Sequence, residues 1–537
     1  MEKFEAYRKR SDIDREALTT FIFGGEERRK QVEKFCVNPF LEFDIFRDPR
    51  VYEMSRKEVM EYTIKKHFVE LMGLKEEKGF KVTNDTFVQE AWACDNTHSV
   101  GGVGWLMTSK MIQILGSQEQ CDMWLEKIAE HVILCCYAQT ELSHGTDVQN
   151  LRTTATFDKK TQEFVLHTPC LEAMKWWPGD LGLFSTHALV LAQLSSNGTD
   201  YGIQPFFVQI RDWDTHEALP GVEVGDIGPK MGYSGKDNGF LRLTKFRAPK
   251  ISLLAKYVTQ NADGTVSMQG DSKMLYSSMM FIRTGIAGSA YYNLMKSVLI
   301  GIRYSIQRKQ FKDIEGNEIP VMMYQMQQQK LYQQLCRALI MNAGFIQLIE
   351  NVKDNADRTA KGDYSLMKDT HIDLCTHKAF YSEWLIMGHI EIIRACGGHG
   401  YNVFSGLTNA LMEDFPFIIL EGENSVLFLQ VAKDLLGQLR KVHEGKLDQV
   451  TEAFSYFKRF GEEFDLPVDR DDFYNPEKMV EAFKHACLNN TAKSGMVMMQ
   501  HLAEGMDPKA VFDYKLGSRN WGIGKLHGVV SIARNAM

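Results

Sequence analysis

The hydrophobic periodicity of this chain changes three times, and each change limits the fold that a segment can adopt. From Arg50 to Leu134, apolar residues recur mostly at three- and four-residue intervals, as on one face of a helix. Between Cys135 and Lys250 the pattern changes to short runs separated by turn residues, which predicts strands. Long helical patterns return from Ser272 to Leu439. Helices segregated from a mainly antiparallel sheet predict an α+β fold.

These changes divide the chain into four predicted domains. They are an N-terminal helical domain (1–134), a central antiparallel β-domain (135–270), a helical bundle (271–439) and a second, shorter helical module (440–537). The polar stretch Arg440–Lys446 marks the last boundary.

Single elements can be predicted within these domains. Thr153–Phe157 and Glu163–His167 flank a polar turn and predict a hairpin, and His187–Gln193 and Gln204–Ile210 predict two further strands. Gly73 follows an apolar pair and predicts the end of a helix.

Composition excludes several classes of protein. The 537 residues contain 62 Lys and Arg against 69 Asp and Glu, so no basic field predicts binding to nucleic acid. The N-terminus is too charged for a signal peptide, and no apolar run is long enough for a membrane span. Ten cysteines occur without any C-x-x-C spacing, and the histidines lack metal-ligand spacing. We therefore expect reduced thiols, an intracellular location and no metal site.

The segment Ile418–Phe428 places Glu-Gly-Glu-Asn between two apolar runs. A carboxylate in such surroundings should be desolvated, which raises its pKa toward the range that a general base needs. Gly422 permits an unusual backbone angle or the close approach of a ligand. The alternative is structural: Glu421 could be an acid in the first turn of a buried helix.

Further polar and glycine-rich segments have both structural and functional interpretations. Tyr137–Thr146 could be a capping turn or a set of polar ligands, and Trp176 and Trp177 could fill a domain interface or form the wall of a site. The Gly397–Gly400 bend could end a helix or approach a phosphate. Arg308–Phe311 alone is typical of a solvated helix end.

Taken in order, these motifs resemble the acyl-CoA oxidases, the oxygen-using branch of the acyl-CoA dehydrogenase fold. The resemblance covers roughly Asn38 to Leu439. Seven motifs carry it, in this order: Tyr137–Thr146, Lys175–Gly179, Gly228–Gly239, Arg308–Phe311, Tyr324–Lys330, Cys396–Tyr401 and the segment around Glu421. The versions at Lys175–Gly179 and at Tyr137 onward are similar to those of the oxidases rather than those of the mitochondrial dehydrogenases.

The resemblance implies FAD as cofactor and assigns residues to it. Those implied to bind FAD are Tyr137, Ala138, Gln139, Thr140, Gly145, Thr146, Gly179, Arg308, Gln310, Phe311, Gln325, Gln328, Gly397, Gly398, Gly400 and Glu423. Arg308, Gln310 and Phe311 are implied to reach the ADP half of the flavin across a dimer interface. Arg283 lies in an apolar helix, needs an anionic partner, and is predicted to bind substrate together with Tyr276 and Gly422.

The resemblance also implies the reaction. Glu421 would remove the α-proton of an acyl-CoA, the flavin would take the β-hydrogen as hydride, and O₂ would reoxidise it to give trans-2-enoyl-CoA and H₂O₂. The implied partners are acyl-CoA, O₂ and a second oxidase subunit, in a homodimer or heterodimer. Two alternatives stay open: a catalytically weak regulatory subunit, and a dehydrogenase that passes electrons to a protein.

Three departures from the family pattern stand out. Ser143 replaces a usual glycine, and Asp180–Thr186 lacks a usual lysine near the cofactor. The chain also ends at Met537, without the peroxisomal tripeptide of typical members. We expect a peroxisomal enzyme by resemblance, with this chain cytosolic when alone or imported with a partner.

Overall fold

The computed structural model describes residues 8–9, 11–34, 43–76, 103–269 and 273–536. The first helices are α1 (Arg15–Phe23), α2 (Glu26–Val32), α3 (Arg56–Glu76), α4 (Val103–Leu115) and α5 (Gln118–Ala129). Helix α5 begins with a capping box, in which Ser117 and Gln120 satisfy each other's backbone N–H groups. Gly73 lies inside α3, so the prediction that it ends a helix is wrong; one glycine costs a helix interior only about 1 kcal/mol.

The central segment folds into β-sheets. Its strands are β1 (Cys135–Ala138), β2 (Thr154–Asp158), β3 (Glu163–His167), β4 (Lys175–Trp176), β5 (His187–Ser196), β6 (Thr199–Gln209), β7 (Val222–Asp226), β8 (Gly239–Leu243), β9 (Phe246–Pro249), β10 (Val258–Gln260) and β11 (Val266–Met268). Strands β2 and β3 form the predicted hairpin, with Phe157 opposite Phe164. The two further strands are confirmed as β5 and β6, which pair antiparallel.

Strand β5 organises the larger sheet. One of its edges pairs with β1 and then with β2, both parallel, and the other pairs with β6. The apolar run Ala188–Ala192 at its centre is fully buried, as expected of a strand that is covered on both faces. A smaller sheet has the order β4-β8-β7, and Lys175 on β4 forms an isolated antiparallel bridge with Glu141, which follows β1 of the larger sheet.

Among the described residues from 273 to 536, the regular elements are helices and one exposed hairpin. The longer helices are α6 (Lys273–Gln307), α7 (Gln325–Ala360), α8 (Met367–Cys396), α9 (Leu407–Asp414), α10 (Asn424–His443), α11 (Pro476–Ala503) and α12 (Gly517–Ala536), one short helical turn covers Gly398–Tyr401, and the hairpin consists of β12 (Lys309–Lys312) and β13 (Glu318–Pro320). The α+β class is thus confirmed, with helices on either side of the β-domain in the chain. No helix in the described ranges is long and apolar enough to cross a membrane.

One hydrophobic core unites the bundle. It contains Leu294 of α6, Phe345 of α7, Tyr381 of α8 and Phe428 of α10, and it extends to Ile523 of α12. Residues from the segment predicted to be a separate module therefore pack into the same core as the bundle. The domain boundaries themselves stay predictions.

The β-domain is joined to the bundle by a close backbone contact. The amide of Tyr233 donates to a carboxylate oxygen of Glu413 at 2.7 Å. A side chain on the neighbouring Gly232 would place its Cβ 2.1 Å from the carbonyl oxygen of Met412, so only glycine fits there. This contact sets the β-domain against the helices that carry the Glu421 segment.

Gln120 joins the N-terminal helices to the β-domain. Its buried amide donates to the carbonyl oxygens of Ile251 at 2.7 Å and Leu253 at 2.6 Å, and its oxygen accepts from the amide of Ala255 at 2.9 Å. Truncation would leave the buried carbonyl of Leu253 and two part-buried backbone groups without these partners, and a buried group left unsatisfied costs about 1–3 kcal/mol.

We therefore expect Gln120→Ala to lower the midpoint of thermal unfolding by several degrees. The matched control is Gln118→Ala on the same helix, since the Gln118 amide makes only an exposed bond to Asp122. Differential scanning calorimetry of both variants tests this. Equal midpoints for the two variants would contradict the bridging role of Gln120.

Candidate active site

The Glu421 segment forms a tight turn immediately before α10. Glu423 is the N-cap of that helix, and its carboxylate accepts from the amides of Ser425 at 2.9 Å and Val426 at 3.3 Å. Glu421 therefore stands before the cap and is free of the capping role that the structural alternative would give it. Glu421 has φ 57° and Gly422 has φ 104°, so two successive residues adopt left-handed backbone. A Cβ on Gly422 would lie 2.8 Å from Leu427, which explains the glycine.

Two buried cations hold the turn through its carbonyl groups. Arg283 of α6 donates from Nε to the carbonyl oxygen of Glu421 at 3.1 Å. Lys378 of α8 donates from Nζ to the carbonyl oxygen of Gly422 at 2.7 Å and to Oδ1 of Asn424 at 2.9 Å. The conformation of the turn is thus set by two helices that are distant in the chain.

Burial and the two neighbouring cations have opposite effects on the pKa of Glu421. Burial raises the pKa of Glu421 above its ordinary value, while Arg283 and Lys378 act in the opposite direction. Nη1 of Arg283 donates to Nδ1 of His371 at 3.3 Å, and burial lowers the pKa of His371 to about 4. His371 is therefore neutral near pH 7, and Arg283 supplies positive charge beside the carboxylate.

The turn also faces the end of strand β1. Burial raises the pKa of the Tyr137 hydroxyl, and the Glu421 carboxylate raises it further. The hydroxyl of Tyr137 donates to the side-chain oxygen of Gln139 at 2.5 Å. No backbone carbonyl in the described part of the chain accepts a hydrogen bond from the Glu421 amide. Glu421 therefore presents both its carboxylate and an N–H group without a backbone acceptor at the same position in the turn.

A buried ion pair joins the polar segment after β1 to strand β4. The Lys175 ammonium donates to Glu141 at 3.1 Å and to the carbonyl oxygen of Gln139 at 2.9 Å. Glu141 also accepts from the Thr153 hydroxyl at 2.6 Å and from two backbone amides. The amide of Trp176 donates to the carbonyl oxygen of Thr140 at 2.9 Å. Two motifs that are separate in sequence thus form one wall.

Glu141 and Lys175 each stabilise the charged form of the other. Burial lowers the pKa of Lys175 to about 8, although Glu141 acts to raise it. Burial alone would raise the pKa of Glu141, but Lys175 and the hydrogen bonds from Thr153 and Arg152 outweigh it and lower that pKa. Both groups are therefore charged near pH 7.

The departures from the family pattern are accommodated in this wall. Ser143 is exposed, and its hydroxyl donates to the carbonyl oxygen of Glu172 at 3.0 Å, with no left-handed backbone required. Asp180 is buried with φ 67° and lies 3.2 Å from the ammonium of Lys236. A Cβ on Gly179 would lie 2.5 Å from the Lys236 side chain, so this lysine packs directly behind the Gly179 segment.

A second group of predicted residues lies at the other end of the bundle. Arg308 follows α6, and Gln310 and Phe311 lie on β12, where Phe311 is 76 % exposed. The rings of Tyr304 and His399 are 5.8 Å apart and join the end of α6 to the Gly397–Gly400 bend. Gln325 is exposed at the start of α7, and the Gln328 amide donates to the carbonyl oxygen of Met322 at 3.0 Å.

Helix geometry separates the two groups. Arg283 and Tyr304 are 21 residues apart on α6, a helical rise of about 31 Å. Within one chain, the residues around Arg308 and Gly397 are therefore remote from the Glu421 turn.

The structure thus brings together Tyr137, Gln139, Arg283, Glu421 and Gly422. Other predicted residues lie on the wall beside them: Ala138, Thr140, Gly145, Thr146 and Gly179. Tyr276 lies in the first turn of α6, and its side chain is outside the described residues. Every ligand assignment made from the sequence stays a prediction.

Sequence reasoning overlooked Lys378, Glu141 and Lys175 as site residues. A lysine in the apolar run around Ala379 and Phe380 is the same signal that identified Arg283. Glu141 and Lys175 carry no such signal, because only the fold shows that their side chains meet.

Removing one partner of the Glu141–Lys175 pair should be costly. We expect Lys175→Met to destabilise the protein by roughly 3–5 kcal/mol, because it leaves Glu141 charged and buried. Adding Glu141→Gln to that variant removes the unpaired charge and keeps the accepting oxygen, so part of the thermal stability should return. Calorimetry of both variants tests this, and a double variant no more stable than Lys175→Met would contradict the ion pair.

Comparison with known proteins connects this geometry to a family. Three family models match the chain: acyl-coenzyme A oxidase N-terminal over residues 14–134, acyl-CoA dehydrogenase middle domain over 136–246, and acyl-CoA oxidase C-alpha1 domain over 276–436. Peroxisomal acyl-coenzyme A oxidase 1 of Phascolarctos cinereus is 36% identical over 499 residues, which cover 89% of this chain and 73% of that protein.

Solved structures agree. Arabidopsis thaliana acyl-CoA oxidase 1 superposes with a TM-score of 0.89 at 30% identity, covering 98% of this chain and 80% of that one. Acyl-CoA oxidase-1 of Caenorhabditis elegans, solved with FAD and ATP, has a TM-score of 0.89 at 28% identity and covers 100% of this chain and 79% of that one. With three family models matching in order and the turn, wall and bundle in place, this chain belongs to the acyl-CoA oxidase family.

Proposed function

We propose that this chain is an FAD-dependent acyl-CoA oxidase that converts an acyl-CoA and O₂ to the trans-2-enoyl-CoA and H₂O₂. The observation that carries the proposal is the half-buried Glu421 carboxylate, held in a left-handed turn by two cations and beside an unused backbone amide. Its relatives are peroxisomal oxidases, and we place the reaction in peroxisomal fatty-acid β-oxidation.

The residues present fit a flavin. The indole of Trp177 is 54 % exposed at the end of the wall and offers a flat apolar surface. Gln139 and Thr140 offer polar groups beside it, and Gly397 and Gly398 are exposed, with open space where a side chain would lie. These groups match a flat ring with a polar edge and an anionic pyrophosphate. When bound, FAD supplies the redox chemistry: it accepts the β-hydrogen as hydride and passes the electrons to O₂.

The protein's own contribution is proton abstraction. The α-proton of a thioester is too weakly acidic for a carboxylate in water, so the base must be desolvated and the thioester carbonyl polarised. Burial raises the pKa of Glu421 and so makes it a stronger base, while Arg283 and Lys378 act to lower that pKa and favour the ionised carboxylate. We assign to the Glu421 amide the role of donating to the thioester oxygen as negative charge develops there, because that amide has no backbone acceptor in the described residues.

Glu421→Gln tests this role. The amide keeps shape and hydrogen bonding but cannot accept the proton, so flavin should stay bound while its anaerobic reduction by acyl-CoA slows about 10²–10⁴-fold. Stopped-flow absorbance measures the rate, and the flavin spectrum measures occupancy.

The matched control is Glu444→Gln, an exposed carboxylate that follows the other end of α10. It should reduce flavin at the wild-type rate. Unchanged bleaching of flavin in Glu421→Gln would overturn the assignment of the base.

We further propose that two copies of the chain, or this chain and another oxidase subunit, share each flavin site. The spacing of about 31 Å along α6 supports this, because residues near Arg308 and residues near Glu421 cannot meet within one chain. The exposed hairpin around Phe311 projects from the bundle as a segment that a partner would cover.

Arg308→Ala should therefore lower flavin content and weaken the dimer together, since the bound cofactor and the assembly would stabilise each other. Flavin absorbance and multi-angle light scattering measure the two effects. Lys160→Ala, in the exposed turn of the β2–β3 hairpin, is the control and should change neither. A flavin-replete monomer would refute the shared site.

A further inference from the structure

Lys378 is a buried cation whose hydrogen bonds go to neutral oxygens. Its side chain is fully buried in α8, and it bonds to the carbonyl of Gly422 and the side-chain oxygen of Asn424. Buried charges are usually compensated by direct ion pairs, so this arrangement calls for a reason. The reason lies in the turn whose backbone carbonyl accepts the hydrogen bond from the lysine.

The lysine and Arg283 act on adjacent peptide groups. Arg283 binds the carbonyl oxygen of Glu421, and Lys378 binds that of Gly422. A left-handed glutamate is strained and persists only where the surrounding structure fixes it. Asn424 reinforces the arrangement, since its amide donates to the carbonyl oxygen of Ala379 at 3.1 Å and to Ser382 at 3.0 Å.

Lys378 and the charged groups around it also shift one another's pKa values. The groups that face it are Arg283 from α6, Glu421 and Glu423 from the turn, and Cys375 from its own helix. Burial lowers the pKa of Lys378 to about 7, Arg283 lowers it further, and the two glutamates raise it. In the other direction, its ammonium counteracts the effect of burial on the pKa of Glu421.

We propose that Lys378 is a positioning residue for proton abstraction, which fixes the Glu421–Gly422 turn through the carbonyl group of Gly422 and places a positive charge next to the base. The proposal rests on the proposed oxidase function and adds a second buried cation to its machinery. It concerns the base and its backbone, and Lys378 itself does not need to touch substrate.

The sign of the pH effect follows from the charges. Without the Lys378 ammonium, burial of Glu421 is opposed by Arg283 alone, so its pKa rises. The acid limb of the pH profile for flavin reduction should then move to higher pH. Loss of packing alone would lower stability and leave that limb in place.

The test uses the full-length, flavin-loaded protein and a panel of straight-chain acyl-CoA thioesters. Lys378→Met should lower the plateau rate of anaerobic flavin reduction at least about tenfold, since small misplacement of a base is costly. It should also move the acid limb up by about 1 pH unit, the effect of losing one nearby cation. Lys378→Arg should keep the limb at its wild-type position.

Lys368→Met is the matched control. Lys368 lies on the same helix, is exposed and pairs with Asp434, so its loss should leave rate and limb unchanged. A wild-type limb and rate in Lys378→Met would overturn the proposal. If Lys378→Met does not fold, Lys378→Gln replaces it, because glutamine keeps a hydrogen-bond donor without the charge. The acid limb of its pH profile should likewise move to higher pH, and an unshifted limb would overturn the proposal.

A crystal structure of the variant gives a readout independent of activity. In Lys378→Met the Glu421–Gly422 turn should leave its left-handed conformation, and an unchanged turn with an unshifted limb would refute positioning. If the wild-type protein reduces no flavin with any thioester of the panel, the oxidase function fails. The crystal structure alone then decides whether Lys378 positions the turn.

Discussion

The left-handed turn at Glu421 and Gly422 is the constraint on which the site depends. A glutamate does not adopt φ 57° without support, and here the support comes from cations on two different helices. The same cations limit the effect of burial on the carboxylate, so one arrangement sets both the direction and the charge of the base. The bundle core that fixes α6 and α8 against each other is therefore also what builds the base.

The β-domain is held in its position at the site by a buried ion pair and a close backbone contact. A buried ion pair between Glu141 and Lys175 joins the segment after β1 to β4, and the Gly232–Met412 contact sets the whole domain against the bundle. Because these joints are tight, the wall and the turn keep one relative position. Lys236 packs behind Gly179, which places a lysine near the segment where the family pattern has lost one.

Much of this was accessible from the amino-acid sequence. The changes of periodicity predicted the α+β class, and the β2–β3 hairpin appeared because polar turn residues separate two alternating runs. The ordered motifs implied the family that the comparisons confirm. Gly73 was misjudged because a glycine in a long helix is tolerated when the rest of the helix packs well. Lys378 stands in an apolar helical run, as Arg283 does, so the sequence marks it as a candidate; only the fold shows that it binds the carbonyl group of Gly422.

The sequence by itself determined the order of elements and the apolar residues on either side of Glu421, and it allowed an unusual backbone angle at Gly422. These depend on local propensity and on the chemistry of neighbouring residues. Only the tertiary structure decided that Arg283 and Lys378 would bind successive carbonyls of one turn, and that Glu141 would meet Lys175. The tertiary structure also places the residues near Arg308 at one end of α6 and the Glu421 turn near Arg283, about 31 Å away along that helix. The physical reason is that hydrogen bonds and ion pairs act over a few ångströms, and only the packed fold brings such distant residues within that reach.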